Sequence, residues 1–437
     1  MISQTEFSCW ETKRSSTYLV FMFFYFVIGL ELGCINATLW VYVSTFLKTK
    51  NDKFYYGLIN AAFYVPSLFF PPIVSRFVDK TRRTKLCLIS TLCLSLAGSI
   101  LYPTYMSPLF PLVGRFLSGF TIAVSPLMLS EVARSYTSKE LMQRIPLLNG
   151  SQVFGYGFGP LISIYFTKVN FWIGWIRITY ANIIGPVLFL VNLALLFAVI
   201  FFSYDLSREY DLKSHTNRKN KDSNDNPLGS KSTVNILKRI VQNTDTLLIV
   251  TISVFFGIVD QLMCRVLPVL IIDKLNFSYK FLNASFIGFS FFNTILIIVL
   301  VYWKMSDKVV YYTGIISVIS ITVTTTLLLL IYYKIGNVAT WYVWVLLTVI
   351  NLVIFHLSDQ AFGVVLCAKL AFSCNQGFLE GIRTFAVQRG RVIGGVLIGM
   401  YHDYMNEFYC IINIVSILYL ISMVCKRKTL CCPAPVI

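Results

Sequence analysis

The sequence predicts an all-α membrane protein whose twelve transmembrane helices form two six-helix bundles. Three observations carry this. The 437-residue chain is 56% hydrophobic and 13% charged, with a mean hydropathy of +0.70, whereas a soluble chain carries about 25% charged residues. Its apolar residues gather in blocks of roughly 20, the length a helix needs to cross ~30 Å of hydrocarbon. One long polar stretch, 203–243, rich in Ser, Asn, Asp, Lys and Arg, separates six blocks from six. Without apolar periodicity it reads as a flexible loop.

The blocks fall at 18–46, 55–78, 86–105, 109–133, 145–166 and 178–202, then at 246–272, 281–302, 310–333, 341–367, 377–400 and 407–424. They divide the chain into an N-terminal segment (1–17), a first bundle (18–202), the central loop (203–243), a second bundle (244–424) and a tail (425–437). The first block outruns the 7–15 residues of a signal-peptide core, so it predicts a spanning helix. With the N-terminus inside, 24 of the 37 Lys and Arg residues lie on the inner side, counting Arg76 at the inner end of the second block, with eight on the outer side and five deeper within blocks. That bias predicts that both termini are cytoplasmic. The net charge of +17 is scattered through loops and forms no basic face, which argues against a nucleic-acid partner. Asn276-Phe-Ser278, in the outer loop after the seventh block, and Asn283-Ala-Ser285, at that loop's edge in the first residues of the eighth block, are candidate glycosylation sites. The eleven cysteines and three histidines show no metal-ligand spacing, and no phosphate loop or nucleophile motif is present. The sequence therefore predicts no metal, no cofactor and no enzyme.

Ionisable residues inside blocks are the best pointers to a pathway. Each costs at least ~2.5–3.5 kcal/mol in hydrocarbon unless it is paired or wet. The first block holds Glu31, on one helical face with Thr38 and Tyr42, and the fourth holds Arg115. Asp260 and Arg265 in the seventh point about 140° apart, so each is expected to pair with another helix. In the tenth, His356 and Asp359 share a face at a spacing that allows contact. In the eleventh, Glu380, Arg383 and Arg391 share a face with Arg389 opposite, which aims a charged stripe at a central cavity. Glu31 and Asp260 suit either proton uptake or pairing with an arginine, and His356 suits a proton relay or a satisfied core position.

Three segments carry motifs. The loop after the second block reads Ser75-Arg-Phe-Val-Asp79-Lys80-Thr-Arg82-Arg83, with an echo at Lys304-Met-Ser-Asp307-Lys308 in the second half. The fourth block contains Gly114-Arg115-Phe-Leu-Ser-Gly119, and the fifth contains Gly155-Tyr-Gly157-Phe-Gly159-Pro160. In this order they resemble the signature motifs of the major facilitator superfamily, although Ser75, Arg82 and Ser163 stand where its patterns have glycine. The resemblance implies gating roles for Asp79, Lys80, Arg83, Gly155, Gly159 and Pro160. A narrower likeness joins Trp40-Val-Tyr42, Ala133-Arg134-Ser-Tyr-Thr137 and Gln376-Gly377 through Gly394. It is similar to the lysosomal branch of the superfamily that is lost in one neuronal ceroid lipofuscinosis, which implies a lysosomal or endosomal membrane.

The leading expectation is a secondary transporter. It would use the bilayer and a small-molecule or ion substrate as its partners, and two rocking bundles would alternate access. Arg115 and Arg391 would attract an anionic solute, with Glu31, Asp260 or Asp359 coupling protons. An endolysosomal chloride-type conductance on the same fold and a non-transporting scaffold remain open beside it.

Overall fold

The computed structural model describes residues 4–47, 50–136, 138–166, 169–206, 244–302, 307–370, 376–401 and 404–431. The central loop from 207 to 243 lies outside them. Each of the twelve apolar blocks contains at least one helix. The first is α1 (Gln4–Tyr42), which continues as a π-turn through Val43–Leu47; the second is divided into α2 (Asp52–Ala62) and α3 (Phe70–Thr81). The third is α4 (Thr84–Leu101), and the fourth is divided into α5 (Leu109–Ser118), α6 (Phe120–Ala123) and α7 (Ser125–Ser135). Then come α8 (Ser138–Tyr165), α9 (Ile184–Phe202), α10 (Thr244–Val269), α11 (Tyr279–Tyr302) and α12 (Asp307–Tyr332). The last are α13 (Val338–Leu370), α14 (Gln376–Tyr401), α15 (Met405–Cys425) and the short α16 (Arg427–Cys431).

Nine helical segments are long and apolar enough to span a membrane among the described residues. The second, fifth and eleventh blocks fall short for physical reasons. Pro66 has no N–H to give the Ala62 carbonyl, so the second block breaks into a tight turn at Val65–Leu68. The fifth and eleventh carry the polar and charged residues that face the partner half. These are the helices on which the halves meet: α2 packs on α14, and α8 on α11. The remaining helices turn apolar side chains such as Leu190, Phe197, Ile417 and Leu418 outward, as a bilayer solvent requires.

The sixth helix starts at Ile184 and not at 178. The chain before it forms a hairpin of β1 (Asn170–Ile173) and β2 (Ile176–Thr179), paired Phe171 to Ile178 and Trp172 to Arg177. Gly174, at φ +58°, opens its turn, a conformation that glycine adopts without steric cost.

Glycine contacts repeat between the halves. A Cβ on Gly29 would strike the Gln152 carbonyl oxygen, and one on Gly155 the Phe26 carbonyl oxygen. In the second half, a Cβ on Gly257 would strike the Val387 carbonyl, and one on Gly390 the Val254 carbonyl. Each glycine thus lies three residues after the carbonyl that its partner touches, on α1 and α8 and again on α10 and α14. Backbones this close require small residues, and the repetition is that of an internally duplicated helical protein.

Candidate functional site

The polar centre lies where these two seams face each other. In the first half, Arg115 Nη1 donates to Glu31 Oε1, joining α5 to α1, with the side chains 1% and 2% exposed. The Arg115 guanidinium also lies 4.0 Å from the centroid of the Phe63 ring. The breaks in the second and fourth blocks make this packing possible. Gly119, where α5 ends, seats against the Phe63 carbonyl oxygen just before the Pro66 turn. Two interrupted helices thereby bring Arg115 and the Phe63 ring together.

In the second half, Arg391 Nε on α14 donates to Asp260 Oδ2 on α10 at 3.0 Å. The Arg391 guanidinium lies 5.6 Å from the centroid of the Tyr64 ring on the broken second block. From there a chain of contacts runs inward. Gln261 Nε2 donates to the Tyr64 hydroxyl at 3.1 Å, and Arg265 Nε donates to Gln261 Oε1 at 3.3 Å. Arg265 is 1% exposed. The sequence expectation that it pairs with another helix is corrected: its side-chain hydrogen bond goes to its own helix, and it has no carboxylate partner among the described residues. Its Nη1 is buried without any hydrogen-bond partner. The phenols of Tyr64, Tyr56 and Tyr156 lie within electrostatic reach. Asp260 behaves as the spacing predicts and pairs across to α14.

Beyond Arg265 the halves are closed. The Tyr56 hydroxyl donates to the Arg265 carbonyl at 3.0 Å, Trp40 Nε1 donates to Asp273 Oδ1 at 3.1 Å, and the Trp40 and Tyr56 rings meet edge to face. Gly57 on α2 lies against Gly395 and Gly399 on α14 at the same end. On the other side of Arg391, towards the N-terminus, lies a cavity of about 90 Å3 lined by Tyr25, Asn149, Gln152, Arg383, Gln388 and Arg391. Arg383 is buried on the Arg391 side of α14 while Arg389 is exposed over Phe385, as their spacing predicts. Closure at one end with a cavity at the other is an asymmetric arrangement of the two halves.

The structure brings together Glu31, Arg115, Asp260, Arg265 and Arg391, together with Gly155 and Gly159 of the seam. Pro160 lies inside α8. His356 and Asp359 are on α13 and Glu380 on α14, but their side chains lie outside the described residues, as do those of Asp79 and Lys80 on α3. Arg83 is exposed between α3 and α4. Asn276 is exposed, with a φ of +56°. Asn283 is a correction: it is 0% exposed inside α11, where a glycan has no room. Sequence reading missed Tyr56, Tyr64, Tyr156 and Gln261, because nothing distinguishes a site tyrosine from a packing one in an apolar run. It also missed a clamp at the N-terminal end. Tyr136 lies between the guanidinium groups of Arg14 (4.5 Å) and Arg144 (4.9 Å), and its hydroxyl donates to the Arg14 carbonyl.

Two helical halves meeting at a buried polar centre define a multi-pass membrane protein of the transporter class. The Major Facilitator Superfamily model matches residues 19–395, and the chain belongs to that superfamily, whose members are transporters and not enzymes. The chain is similar to the crystal structure of a D-xylose–proton symporter, with a TM-score of 0.66 at 12% identity over 93% of this chain and 96% of that one. It is also similar to the nucleoside transporter NupG, with a TM-score of 0.65 at 12% identity over 94% and 99%. The xylose transporter XylE from E. coli, in an inward-open conformation, gives a TM-score of 0.61 at 13% identity over 93% and 94%. These likenesses establish the fold. No curated protein sequence matched the chain.

Proposed function

We propose that the chain is an alternating-access secondary transporter for a small anionic solute, with both termini in the cytoplasm. The observation that carries this reading is Arg265. A buried guanidinium is retained against its desolvation cost only where a counter-charge arrives, and none of the described carboxylates supplies one. Arg115 and Arg391 are already neutralised by Glu31 and Asp260, so the anion-attracting role moves from them to Arg265. The phenols around it and the Asn36 and Gln261 amides would complete the polar shell of a carboxylate, phosphate or halide.

Glu31 and Asp260 are the proton-coupling groups of this reading. Protonating either carboxylate would release its arginine to the solute, so that proton and anion travel together. Closure through Trp40, Tyr56 and Asp273 makes the described state the one facing the N-terminal side, the cytoplasm in this topology. The test is net solute uptake into proteoliposomes, with an imposed pH gradient and without it. Flux that collapses with the gradient in the native protein, and is gradient-independent in Glu31→Gln or Asp260→Asn, supports the coupling. Gradient-independent native flux overturns it.

A second reading, an endolysosomal chloride-type conductance, draws on the narrower branch resemblance. Trp40 and Tyr136, two of the residues that carry it, occupy the far closure and the N-terminal clamp. Chloride current indifferent to pH, without counterflow, would favour this reading.

A further inference from the structure

The hairpin of β1 and β2 is built as a rigid root with an apolar tip. At the root, Ile178 is buried in the main core and Asn182 is fully buried. The Asn182 side chain accepts from the Thr179 backbone N–H at 2.8 Å and donates to the Pro103 and Arg177 carbonyls at 3.2 and 3.0 Å. The Tyr105 hydroxyl accepts from the Arg177 backbone N–H. The strands are therefore fixed to the loop between α4 and α5. At the tip the composition reverses. Phe171, Trp172, Ile173 and Trp175 are all exposed, Trp172 at 63% and Trp175 at 72%, and every residue of β1 is exposed.

A two-stranded hairpin is marginal in water, and four neighbouring large apolar side chains are costly there. Something covers them, and three observations point to lipid. Four residues, 166–169, join α8 to β1, and four, 180–183, join β2 to α9. Each connection reaches at most ~14 Å, so the tip starts close to the bilayer's interfacial layer, which is about 5–8 Å deep on each side. The end of α8 that leads into the hairpin also exposes apolar side chains, Phe158, Leu161 and Tyr165. No acidic residue occurs between Phe166 and Asn182, while Arg177 lies exposed in β2 opposite Trp172; this charge suits phosphate headgroups. Tryptophan, with an apolar body and one N–H, concentrates at that depth.

We propose that this hairpin is an interfacial anchor, with Trp172 and Trp175 inserted into the leaflet on the side of the membrane where α8 ends. It would hold the end of α8, and with it the Gly155–Gly159 seam, at a fixed depth while the halves move.

The full chain is reconstituted in nanodiscs of phosphatidylcholine and phosphatidylglycerol, with acyl chains brominated near the headgroup or near the chain end. Emission of native protein minus that of Trp172→Phe/Trp175→Phe isolates the tip among the seven tryptophans. The singles Trp172→Phe and Trp175→Phe each give their own difference, so the result does not depend on the double variant folding. The expected result is quenching of the difference emission that is roughly twofold stronger by shallow than by deep bromines, with little effect of aqueous iodide. Quenching by iodide and not by bromolipid would place the tip in water and overturn the proposal. Insensitivity to both would show a protein partner on the tip, and would overturn it equally.

Discussion

Asp260 and Arg391 form an ion pair across the second seam, and that pair sets Arg265 apart. The cation nearest the Asp260 carboxylate in sequence is not its partner, because five residues on one helix face different directions. The carboxylate is spent on α14, and Arg265 is left with an amide for a neighbour.

An unpaired buried charge costs stability unless a ligand compensates. Arg265→Met is therefore expected to raise the thermal unfolding temperature of the purified protein, by the equivalent of about 1 kcal/mol or more, while abolishing anion flux. Scanning fluorimetry of the two proteins checks the sign. A lowered unfolding temperature would mean that the guanidinium is already compensated.

The Glu31–Arg115 pair should behave oppositely. Arg115→Gln or Glu31→Gln alone leaves one buried charge and is expected to destabilise by about 3–5 kcal/mol. The double variant Glu31→Gln/Arg115→Gln should recover much of that loss. A double-mutant cycle on thermal or denaturant unfolding reads the coupling, and additive losses would count against a mutually dependent pair.

The seams make a matched pair of predictions. Gly155→Ala and Gly390→Ala place a methyl group on a backbone carbonyl of the partner helix, with an expected loss of about 1–3 kcal/mol from overpacking. Gly288→Ala on α11, where nothing lies within 4 Å, should stay within about 0.5 kcal/mol of the native protein. Equal effects at the three positions would contradict the close approach.

The far closure predicts a change in access. Cys264 is buried beside Asp260, to which its thiol donates at 3.6 Å. Trp40→Phe removes the N–H bonded to Asp273, and Asp273→Asn weakens the same bond. Each is expected to speed labelling of Cys264 by a membrane-impermeant maleimide roughly tenfold, since a charged hydrogen bond is worth about 1.5–3 kcal/mol. Peptide mass spectrometry separates Cys264 from the exposed Cys93, Cys410 and Cys425. Unchanged labelling would show that this bond does not hold the closure.

The twelve helices were legible because the bilayer imposes one length on every span, and apolar run length is a local property. The inward stripe of α14 was legible for the same reason: Arg383, Arg389 and Arg391 sort themselves by helical angle alone. The hairpin was hidden because Phe171 to Ile176 is an apolar and aromatic run with no alternation to mark a strand, and only Gly174 marks the turn. The isolation of Arg265 was hidden because it depends on which carboxylate reaches α14, a question of packing and not of spacing. Asn283 reads as a sequon at the loop edge, because the sequence does not show that its face of α11 is turned into the core. The duplicated seam was half legible, since Gly155 and Gly159 form a motif while their partners Gly29 and Gly33 stand in an ordinary apolar run.

The most direct measurement is counterflow of a labelled anion panel, comprising phosphate, a monocarboxylate and chloride, in proteoliposomes of the native protein and of Arg265→Gln. The expected result is saturable counterflow of at least one anion by the native protein, with KM raised roughly ten- to hundredfold or flux lost in the variant. Native counterflow that Arg265→Gln leaves unchanged would contradict the assignment of Arg265 as the solute's counter-charge.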